Sequence, residues 1–508
     1  MSDSAAPPAA PTAGPPGGDH ALDRDTAALA KGGRQNFAGF LLRLAARIPF
    51  LFIAGRLYGA ESLGRFASAL VVVELCAMLA SLGEKRGLAQ RLSQGDETQA
   101  TNLVWEALLL ALALSAIGGV LLWLFPAPLF PSRESSPLDI LIVLAIPGFA
   151  LTEILLAAQA YRFDVATTVK ARAVVEPWTI SVMAGVFWFI PQTRDAGLGL
   201  AYLASIYAGL IAALIPFLRA YGLPSGLAVT PRALARTLAR AAPLAAADAI
   251  EWGTRRLDIF LLGLFAGPGV VGIYYVAQQV ASLPQKLKTS FEPILGPVIT
   301  RKLKENDLPA IAGQVSQVGF WIIAAQAGIA LALGIPGEAV MGLMGPQFVG
   351  GNGALAFLLI AEVAAATAVV SEAVLIYIAR VHNLLVSIAT IAIQGILTIG
   401  LILAFRQAGY PETFQAAGAA IALAIALGFA SLVKSRMLSR RLGRRISAFR
   451  WSLVWAAGPA VVVGFGATML PEWIELSLGM PAILAIYGWV IWKRGFGPED
   501  RALFRLKG

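Results

Sequence analysis

Cysteine and histidine are almost missing from this sequence, with one Cys and two His in 508 residues. The single thiol, Cys76, lies inside an apolar run, which excludes a disulfide framework and a cysteine-based metal site. His20 and His382 fall in a tail and a loop, so neither a catalytic histidine nor a histidine metal cluster is expected. Charge is scarce as well: 14% of residues are charged against 57% hydrophobic, and the mean hydropathy is +0.72. A soluble domain of this length could not bury so much apolar surface while exposing so little charge. There is no G-x-x-x-x-G-K-[ST], so no P-loop holds a nucleotide. Neither H-E-x-x-H nor G-x-S-x-G occurs. No cofactor is expected.

What is present is a succession of apolar windows of about 18 or more residues, each long enough to cross a bilayer. The sequence reads as an all-α polytopic membrane protein with about fourteen spans. They fall near 37–58, 66–83, 103–125, 138–159, 173–191, 198–218, 242–266, 269–291, 315–335, 353–379, 384–405, 413–433, 451–470 and 476–492. The net charge of +10 does not point to nucleic acid, because the basic residues sit in short loops between apolar runs. With both termini cytoplasmic, 31 Lys and Arg lie on the inner side and four (Arg65, Arg133, Arg194 and Arg406) on the outer side. That asymmetry sets the topology.

Residues 1–34 form a Pro- and Ala-rich tail expected to be disordered, and no cleavable signal follows it. Spans one to six occupy 35–218 and spans seven to twelve 242–433. Two basic cytoplasmic linkers lie at 219–241 and 434–450, the last two spans at 451–492, and a tail at 493–508. In the first linker, Thr230 and Pro231 open a short helix on which Arg232, Arg236 and Arg240 recur every fourth residue. It is suited to anionic inner-leaflet headgroups or to plain topological anchoring.

The chain contains one stretch twice. Gly55, Gly59 and Gly64 recur as Gly263, Gly267 and Gly272 at a constant offset of 208, and Phe66 falls on Tyr274. The same offset carries Arg47 onto Arg255, Glu84 onto Glu292 and Arg43 onto Glu251. A repeated pair of apolar helices joined by a glycine turn indicates two equivalent halves. Six spans separate the copies, so the axis relating them runs along the membrane normal.

Charges inside these spans are costly and mark sites. Span seven carries Asp248, Glu251, Arg255 and Asp258 on one helical stripe, with Arg256 beside it. Arg255 lies about 20 Å along that span, too deep to reach water easily. Arg43 and Arg47 share one face of span one, and Arg56 is expected near its outer end. Two pairings stay open: Arg43 and Arg47 with Glu251 and Asp248 across the axis, or neutralisation within span seven. Further acids lie in or at the ends of spans (Glu106, Glu153, Glu176, Glu362 and Glu372), and Glu84 and Glu292 are expected to cap helices. Glu74, the most intramembrane of the acids, reads either as a binder of a coupling H⁺ or Na⁺ or as a protonated acid bonded to a neighbour.

The run from Phe52 to Phe66 resembles the first hairpin of polysaccharide and O-antigen flippases. These belong to the multidrug/oligosaccharidyl-lipid/polysaccharide exporter superfamily. Ala80-Ser81-Leu82-Gly83 is similar to the close of that family's second helix. Residues 256–263 with 271–274 resemble its seventh and eighth helices, and Gly345-Pro346-Gln347-Phe348 resembles a recurrent turn. The resemblance covers about residues 35–445. It implies two pseudo-symmetric six-helix lobes around a central cavity, plus a trailing helix pair. It also implies alternating access and a polyprenyl-pyrophosphate-linked oligosaccharide as cargo, in a bacterial inner membrane, with polysaccharide polymerase or export machinery as partners. A pyrophosphate crossing a low-dielectric core requires fixed cations, and guanidinium groups suit it, which makes the cavity cationic and Arg47, Arg255, Arg43 and Arg256 its ligands. Asp248, Glu251 and Asp258 would then pair with those charges or gate the cavity. A multidrug, organic-cation antiporter of the same superfamily is the alternative. A membrane glycosyl-transfer enzyme is a third reading, against which the short external loops argue.

Overall fold

A computed structural model describes residues 48–93, 97–133, 135–224, 231–289 and 299–501. Arg43, Arg47 and Glu292, the N-terminal tail and the last seven residues lie outside the described residues. All regular structure among the described residues is helical.

The repeat explains the centre of the molecule. Helix α1 (48–58) ends in a widened turn, Ala54–Tyr58, and α2 begins at Gly59 and runs to Ala80. Gly59 adopts φ +79° and ψ 179°, a backbone state open to glycine, and the chain reverses there. The reversal is measurable: the rings of Phe50 and Phe66 lie 6.1 Å apart, whereas 16 residues of straight helix would separate them by about 24 Å. The second copy is α8 (Pro231–Phe265) and α9 (Pro268–Thr289), joined through Gly267. The amphipathic stretch expected at the end of the first linker and the span expected after it run as one helix of 35 residues.

The two copies meet about a pseudo-two-fold axis. A Cβ on Gly64 would stand 1.7 Å from the carbonyl oxygen of Pro268, and a Cβ on Gly272 would stand 1.9 Å from that of Ala60. Ala60 and Pro268 are themselves related by the offset of 208, as are the two glycines, so each contact is the mirror of the other. Helix backbones in lipid gain contact by such close approach, which only small residues permit.

Around this crossing the helices form two lobes. In the first, α4 (Glu97–Leu124), α5 (Ala145–Tyr161), α6 (Glu176–Phe189) and α7 (Gly197–Tyr221) pack with α1 and α2. In the second, α10 (Leu308–Gly334), α11 (Asn352–Ile378), α12 (Arg380–Gln407) and α13 (Thr413–Leu442) pack with α8 and α9. Helices α14 (Ser452–Ala467) and α15 (Met480–Val490) pack on each other and on α10.

Among the described residues, nine helices are long and apolar enough to cross a membrane by length and composition. The chain is a multi-pass membrane protein. The sequence led to about fourteen spans, and the difference has physical causes. The run Ile48–Ala80 counts once although it turns back at Gly59. Helices α6 and α14 are 14 and 16 residues long. Helices α8 and α9 carry charges or amides along the faces they bury.

Candidate functional site

The polar groups of the lobe interface form a chain from α2 to α9. Arg256 on α8 approaches Glu74 on α2, Nε to Oε2, at 3.2 Å. Its Nη1 donates to the Gln278 side-chain oxygen at 3.1 Å. The Gln278 amide nitrogen donates in turn to Asp258 at 3.1 Å, and the Tyr274 hydroxyl donates to the same Asp258 oxygen at 2.5 Å. The backbone N–H of Ile259 donates to the other oxygen at 2.9 Å. Positions 274 and 278 are one helical turn apart, so α9 presents hydroxyl and amide to α8 on one face. Asp258 has no exposed surface, and a carboxyl so far from water persists because donors meet both of its oxygens.

The charged stripe expected on α8 therefore divides. Asp248 and Asp258 are buried. Glu251 and Arg255 pair with each other at 3.0 Å, and their side chains keep 39% and 44% of their surface. Arg255 and Arg256 are successive residues about 100° apart around the helix. One guanidinium thus faces an open side and the other faces the lobe contact. The structure brings Glu74, Arg256 and Asp258 into one network and gives Arg255 to Glu251. Arg43 and Arg47 lie outside the described residues.

Two basic groups that the sequence assigned to cytoplasmic loops are drawn inward, Arg172 partly buried and Lys434 buried. Arg172 stands in the widened turn Lys170–Val175 that leads into α6. It bonds both oxygens of Glu176 through Nη1, at 2.8 and 3.0 Å, and Glu153 through Nη2. The Phe149 ring lies under its guanidinium at 4.9 Å. The i, i+4 spacing of Arg172 and Glu176 was a visible signal. Lys434 on α13 is 4% exposed, and its ammonium bonds Glu372 at 2.9 Å and Ser387 at 3.2 Å. The ring of Tyr202 on α7 meets that of Phe66 on α2 at 5.9 Å, and Phe66 meets Tyr275 on α9 at 6.3 Å.

Both ends of the interface are packed. At the hairpin-turn end, Arg56 Nε donates to the Leu343 carbonyl at 3.2 Å, and Gln347 donates to the Gly55 carbonyl at 2.9 Å. The Gly-Pro-Gln-Phe turn thus ties the second lobe to the first hairpin. A small cleft between Arg65, Ser68, Leu129 and Gly263 opens at this end, about 9 Å along α2 from Glu74. At the far end, α3 (Glu84–Leu92) lies against α8, where Gly83 and Gly87 meet Leu244. Glu84 bonds Arg91 there at 2.5 Å. Burial pushes the Glu84 carboxyl above its ordinary range, against the opposing pull of Arg91 and Arg240.

A family model described as polysaccharide biosynthesis protein matches residues 38–301, just over half of the chain. No curated protein sequence matches. Among solved structures, the chain is similar to the lipid II flippase MurJ in an inward closed conformation. The TM-score is 0.68 at 12% identity, covering 90% of this chain and 99% of that one. It is also similar to a multidrug resistance MATE family transporter of the MOP superfamily in an inward-facing conformation. There the TM-score is 0.62 at 15% identity, covering 79% and 98% of the two chains. A third similar structure is a MOP superfamily transporter from Pyrococcus furiosus with a binding pocket of reverse polarity, at TM-score 0.54 and 14% identity, covering 83% and 96%. At these identities the likeness is one of fold.

Proposed function

The chain belongs to the polysaccharide biosynthesis protein family, and from that premise we propose that it is a flippase. It carries polyprenyl-pyrophosphate-linked oligosaccharide repeat units from the cytoplasmic to the outer face of a bacterial inner membrane, for O-antigen or exopolysaccharide assembly. It makes and breaks no bond in its cargo, so it is a transporter and not an enzyme. The observation that carries the reading is the lobe interface. Two pseudo-equivalent hairpins cross at bare glycine backbone, the intramembrane pair Arg256–Glu74 joins them, and the pair Arg255–Glu251 lies on the open side of the same helix. Two lobes that meet about a glycine crossing can rock about it, opening to one face and then to the other.

Arg255, with Arg43 and Arg47 of the first hairpin and Arg256 beside it, holds the pyrophosphate. A guanidinium offers two parallel N–H donors to phosphate oxygens, which an ammonium cannot. Glu251 holds Arg255, Asp258 holds Arg256 through Gln278, and Asp248 completes the charge pairing until cargo arrives. The polyprenyl tail remains in the bilayer while the headgroup passes. Glu74 takes a coupling H⁺ or Na⁺. Both termini are cytoplasmic, and the basic linkers lie against anionic inner-leaflet lipids. Polymerase or export machinery receives the product.

Deleting the chain tests the reading in cells: lipid-linked repeat units should accumulate on the cytoplasmic face, and their normal appearance outside would refute it. A multidrug exporter is the second reading, favoured by four acids on α2 and α8, Glu74, Asp248, Glu251 and Asp258. It predicts efflux of organic cations and no such accumulation.

A further inference from the structure

Arg256 and Glu74 belong to different lobes, and their contact is a poor one for two groups taken out of water. Nε meets one carboxylate oxygen at 3.2 Å, while the directed bond of the guanidinium goes to Gln278. Both side chains keep about a fifth of their surface, 23% and 20%. A guanidinium is held best by an anion that takes two of its N–H groups at once, and Glu74 takes one. Beside this pair, the Trp252 indole donates to the Val71 carbonyl at 3.1 Å, again between α8 and α2. The offset of 208 places Ser282 opposite Glu74 and Ile48 opposite Arg256. The other contact between the hairpins therefore has no matching charge pair at those positions.

We propose that Glu74 is a placeholder for the anionic headgroup on Arg256, and that its displacement frees α8 from α2. The proposal rests on the flippase reading and makes Glu74 a specificity-determining residue of it. A pyrophosphate diester carries two negative charges and several acceptor oxygens, so it outcompetes a single one-point carboxylate. A neutral or cationic molecule offers Arg256 nothing in exchange and leaves the lobes latched. The released Glu74 is then free for the coupling cation.

The test uses the full chain in lipid nanodiscs, with Cys76→Ser and spin labels at Ala89→Cys on α3 and Leu238→Cys on α8. Both label sites are exposed and flank the far-end contact of the two lobes. Distances are measured without ligand and with a long-chain polyprenyl pyrophosphate, the matching polyprenol, or inorganic pyrophosphate. In the unsubstituted background the distance should lengthen with the polyprenyl pyrophosphate and stay short with the polyprenol. Lengthening with inorganic pyrophosphate as well would assign the trigger to the headgroup alone. Glu74→Gln should be long without ligand and should bind the polyprenyl pyrophosphate roughly tenfold more tightly, its internal competitor being gone. Glu74→Arg with Arg256→Glu should restore the short distance and remove the response. If the unsubstituted protein responds but Glu74→Gln stays short and binds with unchanged affinity, the latch is wrong and the flippase reading stands. If it responds to no pyrophosphate, the cargo reading falls and the latch with it.

Discussion

The two hairpins at the centre share a backbone plan and differ in chemistry. At one pair of equivalent positions, the first hairpin sets Phe50 against Phe66, ring to ring at 6.1 Å. The second sets Asp258 against Tyr274, carboxylate to hydroxyl at 2.5 Å. Both pairs close the same reversal between antiparallel helices. What the two copies share, the glycines at 64 and 272, supplies shape. What only one copy has, the acid, the phenol and the amide at 258, 274 and 278, supplies a polar path to Arg256. A duplicated scaffold is thus held by its repeated residues and given chemistry by its unrepeated ones.

The largest effects are expected at the shared glycines. Gly64→Leu and Gly272→Leu each force a side chain into the other hairpin's backbone, and each should abolish transport with similar loss of folded protein. A tolerated substitution at one of them, seen as normal transport per folded molecule, would mean that the two contacts are not equivalent. A smaller effect is expected where the copies differ. Tyr274→Phe leaves Asp258 short of a donor and should cost about 1–3 kcal/mol of stability. Asp258→Leu combined with Tyr274→Phe copies the apolar pairing of the first hairpin. It should recover most of that stability in thermal unfolding while transport stays several-fold low, because Gln278 then loses the partner that aligns it with Arg256. Full transport in the double variant would reduce the polar pair to packing.

The smallest effect concerns a clasp on the second lobe. Asp500 is 2% exposed and accepts from Arg450 at 2.6 Å, Trp321 at 2.8 Å, the Gly497 backbone at 3.0 Å and Gln317 at 3.2 Å. Burial pushes its carboxyl up, but these bonds, Arg450 first, outweigh it and hold it below the ordinary range. A depressed folded-state pKa stabilises above the unfolded value and is lost as pH falls through the folded one. Asp500→Asn should therefore lower the unfolding temperature at neutral pH, and the difference from the unsubstituted protein should shrink below about pH 4. A difference independent of pH would mean that the clasp is not ionic.

Much of this architecture was legible in the sequence for a specific reason. Glycines at fixed spacing report backbone contacts, and those contacts are what the two lobes share. A local pairing, Glu251 with Arg255 one helical turn apart, was one of the two that the sequence left open. Arg256 with Glu74 joins residues 182 positions apart, and no periodicity encodes that. Arg172 and Lys434 were read as loop charges because basic residues at span ends usually set topology, whereas here each is drawn inward by carboxylates on neighbouring helices. The one-sided polar pairing of Asp258 and Tyr274 was hidden by the repeat itself, since Phe66 and Tyr274 align as two aromatics.

A flippase for an anionic lipid-linked glycan should move it across a bilayer with no other protein present. The purified protein is reconstituted into vesicles with a polyprenyl-pyrophosphate-linked oligosaccharide in one leaflet, and exposure of the glycan to a membrane-impermeant reagent at the other is followed with time. The account predicts protein-dependent exposure that is lost in Arg255→Ala at equal folded protein. Exposure no faster than in empty vesicles, or unchanged by Arg255→Ala, would contradict it.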